Sequence, residues 1–496
     1  AGCAVWAWAM EGSFHPGVFW TRFLGIFLSV VGVEAFNEYF DSRMGTDRVS
    51  NPEEEDPIPD WVLSLGIAAF AGAASVGLYL AVETALARAQ AQLGLIPEDA
   101  AKAITEAADI DKLDMDTLSA RTQIVGYPIL PLVEQLSTWA PDGLGQYCHW
   151  GATTQDIMDT ADVLQVRAGL DIVEEYLERI ATALAKLAEE YAETPMAGRT
   201  HLQHALPVSF GFKAATWLSA IDRHRTRLAE LRGRVEVVQF SGAAGTLASL
   251  SGNGLATQEA LAKELGLAVP DITWHTIRDG FAEVTGFLAL VAASIGKIGY
   301  DIMLMMQTET GEVLEPYVSG RGASSTMPQK RNPISSEMML AAAKIVREQH
   351  SAMLDAMVQD HERATGQWHV EWHALPTAFI VASGGLAAAA EVLEGLEVRP
   401  DAMRQVLDTT KGLIVAEAVM MGLAPHIGRQ VAHDVVYDCC RKALSGEATF
   451  LDALMAEPEI SGALDRASVE ALTKPENYLG EAPEMVRRLL KKRGGA

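Results

Sequence analysis

Cations are scarce in this chain: 39 Lys and Arg stand against 65 Asp and Glu, a formal charge of −26 over 496 residues. Such a surface repels nucleic acid and anionic membranes, so neither is expected as a main partner. Cysteine is scarce too. The four present (Cys3, Cys148, Cys439 and Cys440) include no CxxC pair. That argues against a disulfide framework or a structural zinc site and favours a reducing, cytoplasmic setting over secretion. Aromatic residues make up only 7%, and Ala, Leu and Glu abound, a mixture that favours helix over sheet. There is no GxGxxG turn after a strand, no Walker A loop and no GxSxG elbow. Those gaps remove the commonest nucleotide-cofactor and serine-hydrolase chemistries.

What the chain has is apolar helix-forming sequence, 49% hydrophobic overall. It begins at Ala1, as a fragment or a processed product would. Residues 1–80 read as an atypical apolar region with an acidic, proline-broken linker at Asn51–Asp60. Trp61–Val82 then runs 22 residues without a charge. That length would span a bilayer. However, no basic flank sets a topology, and the run passes straight into the amphipathic "ETALARAQAQLGL"; a buried helix is expected instead. The pattern predicts a helix through this stretch to a stop at Pro97, and long helices over Met158–Tyr191, Ser209–Val238, Phe281–Thr310, Ser335–Asp360 and Leu375–Gly395. The expected domains are 81–155, a central long-helix bundle over 156–398, and a small helical domain over 399–496.

Four stretches of small polar residues interrupt the helices. "CHWGATTQDIMDTADVLQVR" places Thr153 and Thr154 before a long helix, where either caps it and the free N–H groups suit a carboxylate. "MAGRTHLQHALPVSFG" carries Thr200, His201, Gln203 and His204. One histidine here suits acid–base work, and no carboxylate at matching spacing completes a metal site. "DHERATGQWHVEWHALP" packs three His, two Trp and Arg363 together; it is not HExxH, and it reads as an aromatic pocket wall or a buried polar network. "GRGASSTMPQKRNP" joins glycines and two adjacent serines, Ser324 and Ser325, to Lys330, Arg331 and Asn332 just before a helix. A cation and an amide at that point make an oxyanion clamp.

Taken together these stretches resemble the fumarase/aspartase superfamily of lyases. Its GSSxMPxKxNP signature is matched by "ASSTMPQKRNP", with Ala323 at the motif's glycine. The blocks "HWGATTQDIMDTA", "FSGAAGTLASL", "MQTETGEVLEP" and "HERATGQWHVEW" are most similar to the bacterial branch that cyclises 3-carboxy-cis,cis-muconate. The tail "NYLGEAPEMVRRLL" resembles the C-terminal domain of adenylosuccinate lyases. The resemblance covers about Val82 to Leu490.

The resemblance implies an all-α fold whose long helices form a 20-helix core in a homotetramer, with active sites built from loops of three subunits. It implies no metal and no organic cofactor. The reaction implied is a reversible β-elimination or addition on a small polycarboxylate, through an aci-carboxylate dianion. Ser324 stands at the position of the base, His201 at that of the acid, and Glu337 where a carboxylate orients the acid. Lys330 and Asn332 match oxyanion contacts. Thr153, Thr154, Thr200, Gln203, Ser325, Met327 and Arg363 match substrate contacts. One departure matters: these cycloisomerases commonly carry Trp where this chain has His201. That histidine leaves open a C–N lyase that releases fumarate from a succinylated amine.

Overall fold

The computed structural model describes residues 60–318 and 321–494, with side chains from residue 75 onward. The expectations for residues 1–59 lie outside the described residues. The described chain is mostly helical, with two two-stranded antiparallel pairs.

The charge-free run from Trp61 forms the front of α1 (Asp60–Gln92), which continues unbroken into the amphipathic stretch. Val76, Tyr79, Leu80, Val82 and Leu86 are buried in a hydrophobic core, so this end of the run is a core helix of the chain. The stop comes earlier than Pro97. Gly94 takes left-handed backbone at φ 70, and the Leu95 N–H donates back to the Gln90 carbonyl at 2.9 Å. Glycine, with no Cβ to clash, supplies the stop. Pro97 instead stands as N-cap of α2 (Glu98–Ala107).

Next come α3 (Met115–Val125) and α4 (Ile129–Trp139), then α5 (Thr154–Glu190), α6 (Phe210–Val235), α7 (Gly254–Leu265), α8 (Asp279–Met305), α9 (Ile334–Ala356) and α10 (Gln367–Glu394). The five longest after α1 are the five expected from periodicity. The largest difference is at α10, which starts at Gln367 rather than Leu375 and carries Pro376 inside it. The helix begins just after Gly366, at φ 116, so the proline interrupts a helix already under way. Helices α8 and α10 are long and apolar enough to cross a membrane, yet half and two-thirds of their apolar windows are buried within the chain. Core helices have the same character.

The chain divides into two compact units. The first takes the described residues up to 175, with 226–292 and 344–384. Its apolar core gathers Leu86, Ile104, Leu132, Leu136, Ile157, Phe240 and Leu261. Inside the same unit lies a buried ion cluster. The Arg278 guanidinium, wholly out of solvent, donates to Asp159 Oδ2 at 2.6 Å and Oδ1 at 3.0 Å, and to Glu371 Oε1 at 2.9 Å. Trp368 Nε1 and Gln155 Nε2 add donors to Asp159 at 3.1 and 3.0 Å, and Gln359 Nε2 adds one to Glu371 at 3.2 Å. Burial raises the Glu371 carboxyl and Arg278 opposes the rise. This is the polar network foreshadowed by "HERATGQWHVEW", and Tyr127 stacks on Trp368 beside it, ring centroids 5.7 Å apart.

The second unit takes 176–225, 293–343 and the described residues from 385 onward. Strands β1 (Pro195–Thr200) and β2 (Gln203–Ser209) form a hairpin, and β3 (Val313–Leu314) pairs with β4 (Glu397–Val398). Beyond α11 (Pro400–Asp408), helices α12 (Ala416–Ile427) and α13 (Arg429–Ser445) build a separate core with Phe450, Leu454, Ile460 and Val469.

Arg278→Ala would leave two carboxylates buried with no counter-charge. The expected loss is about 3–5 kcal/mol of stability, read from the denaturant midpoint against the unsubstituted chain.

Candidate active site

The β1–β2 hairpin turns on two residues. Thr200 pairs with Gln203, and His201 and Leu202 between them both have left-handed backbone, φ 49 and 62. That is the type I′ pattern, which favours Asn-Gly because both central residues need positive φ. His-Leu is an uncomfortable choice there, and Leu202 is also 74% exposed. Strain of this kind persists where a function holds it. Thr200, His201 and Gln203 share the exposed tip. Lower down, Arg199 pairs with the buried Glu312 at 2.9 Å. Burial pushes the Glu312 carboxyl up, and Arg199 opposes it. His204 lies in this part of the hairpin, and burial and then Arg199 lower its pKa. The two histidines therefore separate: His204 is held toward the neutral form inside the hairpin, and His201 stands at its tip.

The signature loop is closed at its base. Asn332 N–H donates to the Gly322 carbonyl at 3.0 Å, and Ala323 bridges Arg331. Gly322 has φ 68, and a Cβ there would meet the Asn332 carbonyl oxygen at 2.5 Å, so only glycine fits. Between these ends Ser325, Met327 and Lys330 are exposed. The Ser324 hydroxyl oxygen accepts from Met327 N–H at 3.2 Å and, more weakly, Thr326 N–H at 3.4 Å. Two N–H dipoles aimed at one oxygen favour negative charge on it. The three cations of the stretch part company: Arg321 pairs with Glu391 at 2.8 Å. Arg331 is committed to Glu397 at 2.8 Å and to the Glu315 carbonyl. Lys330 has no carboxylate partner among the described residues. Glu337 follows, its side chain exposed, in the first turn of α9. Among the described residues it makes no hydrogen bond to His201.

In the first unit, α5 starts at Thr154. Neither Thr153 nor Thr154 offers its hydroxyl as the cap; the capping group is the Asp156 carboxylate. It accepts from Thr153 N–H at 3.0 Å, and also from the Ser241 and Gly242 N–H groups at 2.9 Å each. One buried carboxylate thus ties the helix start to the "FSGAAGTLASL" loop, where Gly242 supplies φ 76. Burial pushes Asp156 up to about 6, against those three donors. The Thr-x-x-Asp spacing of a capping box carried this signal in the sequence. Arg363 is half-buried and donates to Gln155 Oε1 and to the Ala243 carbonyl, the latter at 2.8 Å. Both partners are neutral, so its charge remains available beside Thr154. His149 was missed as a functional candidate. Its Nδ1 lies 2.6 Å from the buried Glu83. Burial alone lowers its pKa, but the charge and hydrogen bond of Glu83 outweigh that and raise it.

A surface cavity of about 740 Å³ in the first unit, lined by residues that include Arg227, Arg234, Glu283 and His350, contains none of these candidates. The candidates sit on an exposed hairpin tip, a loop and two helix starts.

Two outcomes are expected. Leu202→Gly would relieve the turn and raise stability by about 1 kcal/mol, seen as a higher melting temperature. Asp156→Asn cannot accept from all three N–H groups and is expected to lose about 1–3 kcal/mol. It would also remove a pH dependence. Folding raises this carboxyl from 3.8 to about 6. Its contribution to stability therefore declines as pH rises through that window and is level above it. Melting curves across pH 4–7 for both chains would show a shallower slope in the variant, the remainder coming from other buried carboxyls such as Glu312 and Glu371.

The chain is similar to known lyases over most of its length. A lyase family model matches residues 67–347, and an adenylosuccinate lyase C-terminus model matches residues 412–489. Trans-aconitate decarboxylase 1 of Mycosarcoma maydis is 49% identical over 421 residues, 85% of each chain. The 3-carboxy-cis,cis-muconate cycloisomerase of Pseudomonas aeruginosa is 46% identical, over 82% of this chain and 90% of that protein. Among solved structures, a fumarate lyase from Mesorhizobium sp. BNC1 superposes with TM-score 0.79 at 55% identity, over 84% of this chain and 95% of that one. The chain therefore belongs to the fumarase/aspartase lyase superfamily, with an adenylosuccinate lyase-type C-terminus.

Proposed function

We propose that the chain acts on a small polycarboxylate, making or collapsing a carbanion beside a carboxylate, in the manner of a 3-carboxymuconate cycloisomerase. The observation that carries this reading is the Ser324 hydroxyl, on an open loop, with N–H groups of Met327 and Thr326 directed at its oxygen. A serine hydroxyl is a weak base unless its alkoxide is stabilised. These dipoles supply part of that, and a water-free closed loop supplies the rest. Lys330 and Asn332 take the charge that develops on the substrate carboxylate, and His201 exchanges the second proton. Thr153, Thr154, Thr200, Gln203, Ser325, Met327 and Arg363 hold the remaining carboxylates. No metal or organic cofactor has a step to perform in this scheme.

The site is proposed to be completed by other copies of the chain, in a homotetramer whose long helices share a core. In support, His201 and Glu337 are not hydrogen-bonded to one another within the described chain, although a Glu–His pair would fix the tautomer the acid needs. A cytoplasmic enzyme with three helical domains (81–155, 156–398 and 399–496) fits the same scheme.

Two other outcomes of the same chemistry are kept for specific reasons. Decarboxylation of a tricarboxylate is favoured by the identity to trans-aconitate decarboxylase 1. Release of fumarate from a succinylated amine is favoured by His201. All three develop negative charge beside a carboxylate and use the same oxyanion contacts; Ser324 would take the α-proton in C–N cleavage and return one to the carbanion in lactonisation and decarboxylation.

The test is an ultraviolet and mass-spectrometric assay of the purified chain with 3-carboxy-cis,cis-muconate, trans-aconitate and adenylosuccinate in parallel. Lactone formed from the muconate is the expected result. A five-carbon unsaturated diacid with carbon dioxide, or fumarate, would replace the cycloisomerase reading by one of the other two. On the substrate that reacts, Ser324→Ala is expected to lower kcat by about 10³-fold or more with the melting temperature unchanged. Wild-type turnover in that variant would remove Ser324 as the base.

A further inference from the structure

The loop that carries Ser324 and Lys330 has to be open at its tip and fixed at its base. The closing hydrogen bond between Asn332 and Gly322 joins the two ends to one another, but it does not anchor them to the fold. The anchor lies elsewhere in the same unit, in the short segment after β3. Its backbone is held on two sides. Val313 and Leu314 pair with β4, and Arg399 N–H donates to the Glu312 carbonyl at 3.0 Å. Gly395 packs so closely on Pro316 that a Cβ would come within 2.8 Å of the ring.

Glu315 sits in this segment, 3% exposed. Its side chain reaches the start of α9. Glu315 Oε1 accepts from Ser336 N–H at 2.7 Å and from the Ser336 hydroxyl at 2.6 Å, and Oε2 accepts from Ser335 N–H at 3.3 Å. Ser335 and Ser336 are the second and third residues of α9. Their N–H groups have no partner inside the helix, and the helix dipole favours a negative charge at that spot. The Glu315 carbonyl meanwhile accepts from the Arg331 guanidinium, which Glu397 of β4 also holds.

We propose that Glu315 is the positioning residue of the signature loop. Through its carboxylate it sets the first turn of α9, which carries Glu337. Through its carbonyl it holds Arg331, and so it fixes Lys330 and Asn332 on either side. The sequence separation explains why the pattern did not reveal it: Glu315 is an unremarkable acid in "GEVLEPY", and its partners lie about twenty residues on. The inference rests on the proposed chemistry for its effect on rate, but its structural half stands independently.

The test uses the full chain and Glu315→Gln. Glutamine keeps the length but turns an NH₂ toward an N–H donor. Hydrogen–deuterium exchange is followed by mass spectrometry in the peptides spanning 321–340 and in the hairpin 195–209, which belongs to the same unit. In the variant, exchange over 321–340 is expected to quicken at least tenfold, with the hairpin unchanged. On the substrate identified above, kcat is expected to fall at least tenfold and KM to stay within threefold, because a misplaced Lys330 costs the transition state more than binding. Unchanged exchange over 321–340, or an equal rise in both peptides, overturns the proposal. Local quickening with kcat unaltered overturns the positioning role. If Glu315→Gln does not fold, Ser336→Ala removes one donor alone. It should quicken the same peptide about threefold, and no change there overturns the proposal. If no substrate reacts, the reaction reading fails while the exchange result still decides the anchor.

Discussion

The governing constraint is charge. A chain with a formal charge of −26 that is to hold a polycarboxylate needs a few cations that its own acids do not neutralise. The structure separates spent cations from available ones. Arg278 is spent on Asp159 and Glu371, and Arg199 on Glu312. Arg331, one residue from the clamp, is spent on Glu397. Lys330 has no carboxylate partner among the described residues, and Arg363 is held only by neutral oxygens. Positive charge left unpaired in a partly dry site is worth far more to a developing dianion than the same charge in water.

The same division runs through the backbone. The supports are buried and fully bonded: Asp156 at the head of α5, and Glu315 at the head of α9. The parts proposed to do the chemistry are exposed: His201 and Leu202 at a hairpin tip in left-handed backbone, and a loop that closes on Gly322 because no side chain fits there. Strained tips on rigid bases are the arrangement expected where residues have to meet something outside their own chain.

Much of this was legible in the sequence, for particular reasons. The signature loop is contiguous, so its residues arrive together in the text as in space. The five long helices carry a 3.6-residue pattern over many turns; all five have ends that differ from the expected bounds, most of all the start of α10, where Pro376 lies inside the helix, and α1 stops at Gly94 rather than Pro97. Contacts made across long separations were not legible. Asp156 meets Ser241 over 85 residues, and Arg278 meets Asp159 over 119. Those pairings depend on the fold, and no local spacing encodes them. Nor is the substrate written in the motif, since one proton-exchanging serine and one oxyanion clamp would suit lactonisation, decarboxylation and C–N cleavage alike.

The most direct measurement is a mixing experiment on the shared site. His201→Gln and Glu337→Gln are made separately, each expected to be nearly inactive on the substrate the enzyme turns over, then dissociated, mixed and reassembled. If acid and orienting carboxylate come from different copies, some sites in the mixed assembly regain both wild-type residues. Activity should then return to a sizeable fraction of the unsubstituted enzyme. If the mixture reassembles and stays as inactive as its parents, both residues serve one site from one chain, and the shared-site account is contradicted.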